Sequence, residues 1–449
     1  MKCEEVRDEL IAYARGELSE ARKTAVEEHL VRCEGCTREL EGARKVMALT
    51  QMADASSIQD LAKDVIVAAI AGRASDIHLE RIQAEPRLRF RIDGVLQAQQ
   101  EPGIAPGQYE PLIGQFKLLA EQHLSEKRVP QDGRFKIDHQ GKEYTLRVST
   151  FPYLHGESIV MRILDRSSVL IGLNRLGFAP QTLAQIETMI ARPDGLVLCT
   201  GPAGAGKTTL LYSMLNKLNS PEKMIMTIED PVEYDLTGIN QGSVNRRAGL
   251  TFAAAVRAFM RQDPDIIMVG ELRDLETTEM AIQASLTGHL VLSVLRTPDA
   301  TSALTRLLDL GVEPFLAAAT LTGVIGQRLV RKVCPACREP YQPAEELLKA
   351  FGFTAVMRPK TFLHGTGCDQ CAGTGYYGRM GLHEVLTMNP VLAQMLADRE
   401  PEAAIRSRAL ELNLLWPFAA DARAKIAEGL TTAEEADRVL PSLSAGGRG

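Results

Sequence analysis

The residues best suited to chemistry stand in the stretch GPAGAGKTT, which directly follows the apolar run GLVLCT. Glycines allow backbone N–H groups to curl around phosphate oxygens, and a helix beginning here presents the positive end of its dipole. Lys207 would then pair with the outer phosphates, and the Thr208 hydroxyl would hold Mg²⁺. A chance glycine-rich turn is the alternative, but the position between a predicted strand and a predicted helix favours a nucleotide site. Its predicted residues are Gly201, Pro202, Ala203, Gly204, Ala205, Gly206, Lys207, Thr208 and Thr209.

Acidic residues follow two further apolar runs. In PDIIMVGELRD the run leads to Glu271, and in MIMTIEDPVEY it leads to Glu229 and Asp230. The carboxyl ends of parallel strands meet at one edge of a sheet, where ligands bind. One carboxylate there can hold Mg²⁺, and another can orient or deprotonate an attacking water. Either acid alone could be a helix cap, but together with the glycine-rich loop they predict hydrolysis of a nucleoside triphosphate.

Seven of the eight cysteines fall into two clusters. The later cluster, Cys334, Cys337, Cys368 and Cys371, consists of two C-x-x-C pairs. Four thiolates so spaced suit tetrahedral Zn²⁺ and leave no position for a water, so we predict a structural zinc site. Four unrelated cysteines are the alternative, which the spacing disfavours. The eighth cysteine, Cys199, lies in an apolar run and is predicted to be a buried strand thiol without chemistry.

The earlier cluster combines Cys3 with His29, Cys33 and Cys36. His29 and Cys33 are four residues apart, so they share one face of a predicted helix. Cys36 follows Gly35, which is expected to end that helix. The four side chains complete a tetrahedral set and predict a second structural zinc site. A small helical hairpin with free thiols is the alternative.

Composition limits the class of protein. The 449 residues predict two to four domains, and 45% hydrophobic with 24% charged residues is typical of a globular chain. A net charge of −6 argues against a nucleic-acid-binding surface. No apolar run is long enough to span a bilayer, and the charged N-terminus predicts no secretory signal. We therefore expect a reducing compartment, where cysteines bind metals more often than they form disulfides.

The pattern of hydrophobic residues predicts a multidomain α/β protein. Nearly continuous apolar runs at GLVLCTG, MIMTIED, PDIIMVGE and HLVLSVL predict a parallel sheet buried on both faces. The main domain also contains the tetracysteine subdomain, at about 332–378. The chain is predicted to begin with a helical zinc-finger (1–50) and a linker (51–58). An α+β domain with arginine-rich strands (59–165), the main domain (166–440) and a disordered tail (441–449) follow.

Several longer motifs resemble those of the type II secretion and type IV pilus assembly ATPases. In chain order they are SDIHLE, PQDGRF, RVSTFPYLHGESIVMR, GPAGAGKTT, TIEDPVEY, MRQDPDIIMVGELRD and LTGHLVLSVLRTPDA. The resemblance begins near residue 57 and extends to about 440. It implies a RecA-like P-loop ATPase core preceded by a small, PAS-like α+β domain. The N-terminal stretch resembles the zinc-finger at the front of anti-sigma factors.

The resemblance also implies site residues and partners. Glu229 would be the catalytic acid, and Glu271 would be the acid near Mg²⁺. Arg147 and Arg162 would reach the γ-phosphate, with a solvated strand face or a subunit contact as the alternative. The enzyme would be a cytoplasmic homohexamer, peripheral to the inner membrane, that uses ATP, Mg²⁺ and Zn²⁺. It would bind an inner-membrane platform protein and cytoplasmic docking proteins of a pilus or secretion machine, and no nucleic acid.

One motif departs from the pattern of that family. In VLRTPDA, Arg296 replaces the usual histidine and Pro298 replaces the usual asparagine, while His289 is kept. His289 and Arg296 are both expected to act in catalysis. An arginine can still donate to the γ-phosphate, but it cannot shuttle a proton. Either the site works with Arg296 as its phosphate sensor, which the intact remaining positions favour, or turnover is weakened.

These features predict a motor that hydrolyses ATP and powers assembly of a type IV pilus or a type II secretion pseudopilus. The alternative is a nucleotide-binding regulatory or sensor relative with slow turnover. Pilus retraction is disfavoured because the resemblance assigns the tetracysteine pair to the assembly and secretion branches. The N-terminal finger stands where family members carry a domain that docks to inner-membrane assembly proteins. We therefore expect the finger to determine where the motor is attached.

Overall fold

The computed structural model describes residues 3–15, 18–33, 35–37, 39–40, 55–83, 85–165 and 171–441. The chain divides into two compact units, residues 1–166 and 167–449. Residues 55–58, which were expected to belong to the linker, are the first turn of a helix. The remainder of the predicted linker, residues 41–50 of the predicted finger and the predicted tail from 442 lie outside the described residues.

Two short helices begin the first unit. They are α1 (Cys3–Arg15) and α2 (Glu20–Leu30). Among the described residues of this region, five buried side chains form a small core: Val6, Leu10, Val26, Cys36 and Leu40. A core of this size supplies little folding free energy by itself, and small domains of this kind usually depend on a bound metal or a disulfide.

The rest of the first unit is a sheet covered by helices. Its elements are α3 (Ala55–Ala71), β1 (Ala74–Ile82), β2 (Glu85–Ile92), β3 (Val95–Ala98), α4 (Tyr109–Leu119), β4 (Gln131–His139), β5 (Lys142–Tyr153) and β6 (Gly156–Asp165). The strand order is β3-β2-β1-β6-β5-β4, and neighbouring strands are antiparallel. Ile77 and Leu79 of β1 are buried together with Val65 of α3 and Phe116 of α4. One face of the sheet therefore packs against the two helices, which is the α+β arrangement expected from the alternating pattern.

The second unit alternates strands and helices for most of its length. Its elements are α5 (Pro180–Ile190), β7 (Gly195–Thr200), α6 (Lys207–Leu218), β8 (Ile225–Glu229), β9 (Asn240–Ser243), α7 (Phe252–Phe259), β10 (Ile266–Val269), α8 (Leu275–Leu286), β11 (Leu290–Leu295), α9 (Ser302–Asp309), α10 (Pro314–Thr320), β12 (Leu321–Val333), β13 (Arg338–Tyr341), α11 (Glu345–Ala350), β14 (Phe362–Gly365), β15 (Tyr376–Thr387), α12 (Pro390–Ala397), α13 (Glu402–Glu411), β16 (Leu415–Trp416), α14 (Phe418–Ala427) and α15 (Ala433–Val439). Within this described part, no helix combines the length and the apolar character needed to span a bilayer.

Eight strands of the second unit form one sheet in the order β16-β15-β12-β7-β11-β10-β8-β9. The six neighbouring strands β12, β7, β11, β10, β8 and β9 are parallel to one another. Leu196 and Leu198 of β7 belong to one hydrophobic cluster, whereas Val197 and Cys199 belong to another. Because successive residues of a strand point to opposite faces, both faces are buried, as the continuous apolar runs predict. Cys199 is a fully buried strand thiol.

The sheet is not parallel throughout, because β15 and β16 are antiparallel to their neighbours. The sequence pattern does not predict β12 or β15, and glycines inside these strands weaken the signal. Gly323 in β12 shows why one of these glycines is needed. A Cβ added at Gly323 would lie 2.6 Å from Met189 Sδ and 2.7 Å from the carbonyl oxygen of Leu386. Glycine at this position therefore allows α5 and β15 to pack closely against β12.

Candidate active site and metal centres

Residues 201–206 connect β7 to α6 and form the predicted phosphate loop. Gly201 and Gly206 have φ angles of 144° and 82°, which favour glycine. A Cβ at Gly201 would lie 2.4 Å from the backbone oxygen of Gln327, and a Cβ at Gly206 would lie 2.7 Å from its side-chain nitrogen. Conformation therefore favours glycine at both positions, and at Gly201 the nearby backbone oxygen also leaves no space for a side chain. The loop ends at the start of a twelve-residue helix, whose first N–H groups are free to face an anion.

The lysine of the loop folds back over it. Lys207, Thr208 and Thr209 form the first turn of α6. Lys207 Nζ donates hydrogen bonds to the carbonyl oxygens of Gly201, at 2.8 Å, and Pro202, at 2.6 Å. Burial and, next, the nearby Arg296 lower the pKa of Lys207 to about 8. A partly desolvated cation of this kind gains from a nearby anion, which suits the predicted contact with phosphate.

The acid predicted to lie near Mg²⁺ follows β10, at the same edge of the sheet as the loop. Glu271 is nearly buried and accepts hydrogen bonds from two arginines. Arg296 donates from Nε to Oε1 and from Nη2 to Oε2, the latter at 3.2 Å, and Arg273 donates from Nε to Oε2 at 2.9 Å. Burial disfavours the charged carboxylate, but these hydrogen bonds outweigh it and hold the pKa of Glu271 below its usual value.

The second acid, Glu229, is the last residue of β8 and is also buried. Its carboxylate accepts hydrogen bonds from the Tyr212 hydroxyl, from Thr227 Oγ1 at 2.7 Å and from Gln241 Nε2 at 3.0 Å. Burial and the neighbouring Glu229 raise the pKa of Tyr212, so its hydroxyl remains a donor. Neutral donors from three different elements thus hold this carboxylate in one orientation.

The two predicted phosphate-binding arginines lie in the first unit. Arg147 on β5 and Arg162 on β6 are directly opposite each other in the sheet. Both side chains are more than half exposed. Arg162 Nε donates to Asp76 Oδ1 at 2.8 Å, whereas Arg147 lies 4.0 Å from Asp132. The pair therefore presents two guanidinium groups on one surface, and its part in binding phosphate stays a prediction.

The structure places His289 away from the phosphate loop of its own unit, and its part in catalysis stays a prediction. His289 directly precedes β11, and the first residue of that strand, Leu290, lies opposite Gly195 at the start of β7. The loop follows the far end of β7, about 20 Å away at the usual rise per residue. His289 Nδ1 lies 2.7 Å from the carbonyl oxygen of Ala284 near the end of α8. Its ring therefore satisfies a helix terminus at the opposite edge of the sheet.

Two further residues support the loop and carry no signal in the sequence. Gln327 on β12 donates from Nε2 to the carbonyl oxygen of Ala205 at 2.7 Å. His383 Nε2 lies 3.1 Å from Gln327 Oε1, so it donates to that oxygen. Burial and the nearby Lys425 keep the pKa of His383 well below its usual value, so the ring is neutral. More than a hundred residues separate Gln327 from the loop, which is why local spacing cannot reveal the contact.

The later cysteine cluster fits a zinc ion. The Sγ atoms of Cys334 and Cys368, of Cys337 and Cys371, and of Cys368 and Cys371 are 3.9, 3.9 and 3.8 Å apart. A tetrahedron with Zn–S bonds of about 2.3 Å has edges of about 3.8 Å. Backbone N–H groups also donate to the sulfurs, as from Gly367 to Cys337 at 3.3 Å. The donor set is complete, so it fits a structural site.

The earlier cluster is also assembled. One ligand atom from each of Cys3, His29, Cys33 and Cys36 lies within 4.8 Å of the others, and the Sγ atoms of Cys3 and Cys33 are 3.7 Å apart. Three sulfurs and an imidazole nitrogen at these distances suit tetrahedral Zn²⁺. Cys36 also belongs to the small core of this region. A metal here would join the ends of the helical hairpin and add stability to this small core.

Comparison with known sequences identifies the family. The sequence profile described as "Type II/IV secretion system protein" matches residues 51–438. The chain belongs to this family. A second profile, described as "Putative zinc-finger", matches residues 3–37 and therefore covers the earlier cluster. The family expected from the motifs is confirmed by these matches.

Individual relatives agree with this assignment. The chain is 44% identical to "Type II secretion system protein E" of Dickeya dadantii over 86% of this chain and 76% of that protein. It is 42% identical to "Type IV pilus assembly ATPase PilB" of Myxococcus xanthus over 88% and 70%. Among solved structures, the ATPase DotB of Legionella pneumophila has a TM-score of 0.60 at 22% identity over 84% and 94% of the two chains. The pilus retraction motor PilT with bound ADP has a TM-score of 0.57 at 26% identity over 84% and 96%.

Replacing Gln327 tests whether it positions the phosphate loop. Gln327→Ala removes the donor to the Ala205 carbonyl, so ADP affinity measured by calorimetry is expected to fall by about three- to tenfold. Gln394→Ala is the matched control, because Gln394 is exposed and donates to Asp398 at the end of its own helix. Wild-type affinity in a folded Gln327→Ala variant would contradict the positioning role.

Proposed function

We propose that this chain is an ATPase that powers assembly of a type IV pilus or of a type II secretion pseudopilus. One observation carries the proposal: the glycine-rich loop, Glu229 and Glu271 meet at a single edge of the sheet. Membership of the secretion family supports it. Two relatives that are each 42% identical to this chain are named as a type II secretion ATPase and as a type IV pilus assembly ATPase.

The residues at this edge can each take a separate role in ATP hydrolysis. Loop N–H groups and Lys207 hold the phosphate oxygens. The Thr208 hydroxyl and Glu271 would hold Mg²⁺, which would supply positive charge against the negative charge that develops on the phosphates. Glu229 already accepts three hydrogen bonds of the roughly four that a carboxylate can take. It therefore retains one acceptor position, with which it can orient an attacking water.

The finer architecture follows from the same proposal. The parallel strands around β7 support a RecA-like core within 166–440, and the antiparallel sheet under α3 and α4 supports a PAS-like domain within 59–165. We infer that Arg147 and Arg162 of that domain reach the γ-phosphate. Their exposure and their permanent charge suit this task.

We also propose a homohexamer in the cytoplasm, held at the inner membrane by a platform protein and docking proteins. The Cys₃His cluster lies in the first unit, whereas the loop and both acids lie in the second unit. Because four ligands fill a tetrahedral site, neither cysteine cluster offers Zn²⁺ an open position for catalysis. The N-terminal finger therefore has the features of an attachment module.

One observation favours a second candidate function, a nucleotide-binding regulator with slow turnover. Arg296 pairs with Glu271, which is the acid that the motor needs for its metal. If this pair persisted when nucleotide is bound, hydrolysis would be slow while binding remained. Turnover by the purified protein separates the two functions.

Replacing the loop lysine tests the motor. The wild-type protein is expected to hydrolyse ATP, and Lys207→Ala to lower turnover by at least about 100-fold, because it removes a donor from the charged phosphates. Lys217→Ala is the matched control on the same helix, since Lys217 pairs with Glu187 away from the loop. Wild-type protein that binds ATP without turnover would instead support the regulator.

Replacing the finger cysteines tests the attachment role. Cys33→Ser combined with Cys36→Ser removes two of four metal ligands and is expected to unfold the helical hairpin. ATP turnover by the purified variant should match that of the wild type, while pilus assembly or secretion in cells should be lost. Loss of turnover in the purified variant would show that the finger belongs to the catalytic assembly.

A further inference from the structure

The carboxylate of Glu271 accepts hydrogen bonds from two arginines. Both oxygens of this carboxylate accept hydrogen bonds from Arg296, and Oε2 accepts a further one from Arg273. A guanidinium group that donates through two nitrogens forms one of the stronger ion pairs found in proteins. The carboxylate proposed to serve Mg²⁺ is thus already paired with two permanent positive charges.

Arg296 reaches Glu271 because of the parallel register. It follows β11, whose last residue, Leu295, lies opposite Thr200 at the end of β7. Glu271 follows the neighbouring strand β10, so the two side chains leave adjacent strand ends on the same edge. Arg296 also contributes, after burial, to the lowered pKa of Lys207. A single guanidinium group therefore acts on the acid and on the loop lysine.

We propose that Arg296 regulates metal access at this site: it competes with Mg²⁺ for Glu271, so that the Arg296–Glu271 pair must open before the carboxylate can serve the metal. This inference rests on the proposed ATPase function and specifies how that function is controlled. Arginine keeps its charge at every physiological pH, so the competition does not depend on pH. Arg296 thereby raises the Mg²⁺ concentration that nucleotide binding and turnover require.

The surrounding charges make Arg296 a suitable residue to replace. Without it, Glu271 keeps the hydrogen bond from Arg273, so the buried carboxylate is not left unpaired. Arg273 also lies 3.7 Å from Asp230, which in turn pairs with Arg246 at 3.1 Å. The arginine side chain itself is 55% exposed, so solvent screens the pair and its removal should not unfold the unit.

The test measures ADP binding by calorimetry across free Mg²⁺ concentrations, from EDTA-treated to saturating samples. Mg²⁺ is expected to raise the affinity for ADP, and the measured quantity is the Mg²⁺ concentration that produces half of this increase. In Arg296→Gln this concentration is expected to fall by about two- to tenfold. Arg192→Gln is the control. It removes one positive charge from the same unit, near Asp194 at the amino end of β7, and should leave the Mg²⁺ requirement unchanged.

A second pair of variants asks whether Arg296 acts through Glu271. In a Glu271→Gln background, adding Arg296→Gln should no longer shift the Mg²⁺ requirement, because the competition has lost its target. A shift that persists there, or an unchanged requirement in the Arg296→Gln single variant, would overturn the proposal. Lower ATP turnover with an unchanged Mg²⁺ requirement would likewise overturn it and would assign Arg296 to the phosphate instead.

ATP turnover recorded in the same samples separates this inference from the proposed function. Absence of turnover in the wild-type protein would refute the motor, whereas the ADP measurements would still report on the competition. Absence of ADP binding at every Mg²⁺ concentration would refute both.

Discussion

The parallel register of four neighbouring strands is the constraint on which the site depends. Leu295 at the end of β11 lies opposite Thr200 at the end of β7, and Val269 at the end of β10 lies opposite Ile228 of β8. Because these strands point the same way and end together, their loops deliver the glycine-rich turn, Glu229, Glu271 and Arg296 to one edge. Burial on both faces fixes this register, since a slip would misplace closely packed apolar side chains.

A second pair of strands connects this edge to the tetracysteine cluster. β12 ends immediately before Cys334, and β15 begins five residues after Cys371. The same β12 carries Gln327, whose side chain bonds to the phosphate loop, and β15 carries His383, which holds Gln327 in place. A structural metal at the far end of this strand pair would therefore stabilise the element that supports the loop, without taking part in the chemistry.

Short motifs were sufficient to predict that the loop and the two acids lie at strand ends. The cysteine clusters could be grouped from residue type, because closely spaced cysteines and histidine are typical metal ligands, and the roles of all these residues stay predictions. Contacts between distant segments could not be predicted in this way. Arg296 and Glu271 are 25 residues apart and meet only through adjacent strands. His289 shares a motif with Arg296, but the two residues flank β11 and so lie at opposite edges of the sheet, which local spacing does not show. The strands β12 and β15 were hidden by glycines that close packing requires.

The most direct test of this account is an experimental structure of the protein with ADP and Mg²⁺. We expect the β-phosphate in the glycine-rich loop, within hydrogen-bond distance of Lys207 Nζ, with Lys207 released from the Gly201 and Pro202 carbonyls. We also expect Glu271 to turn toward the metal and to be no longer paired with Arg296. ADP bound elsewhere would contradict the assignment of the site, and an intact Arg296–Glu271 pair beside bound Mg²⁺ would contradict the competition.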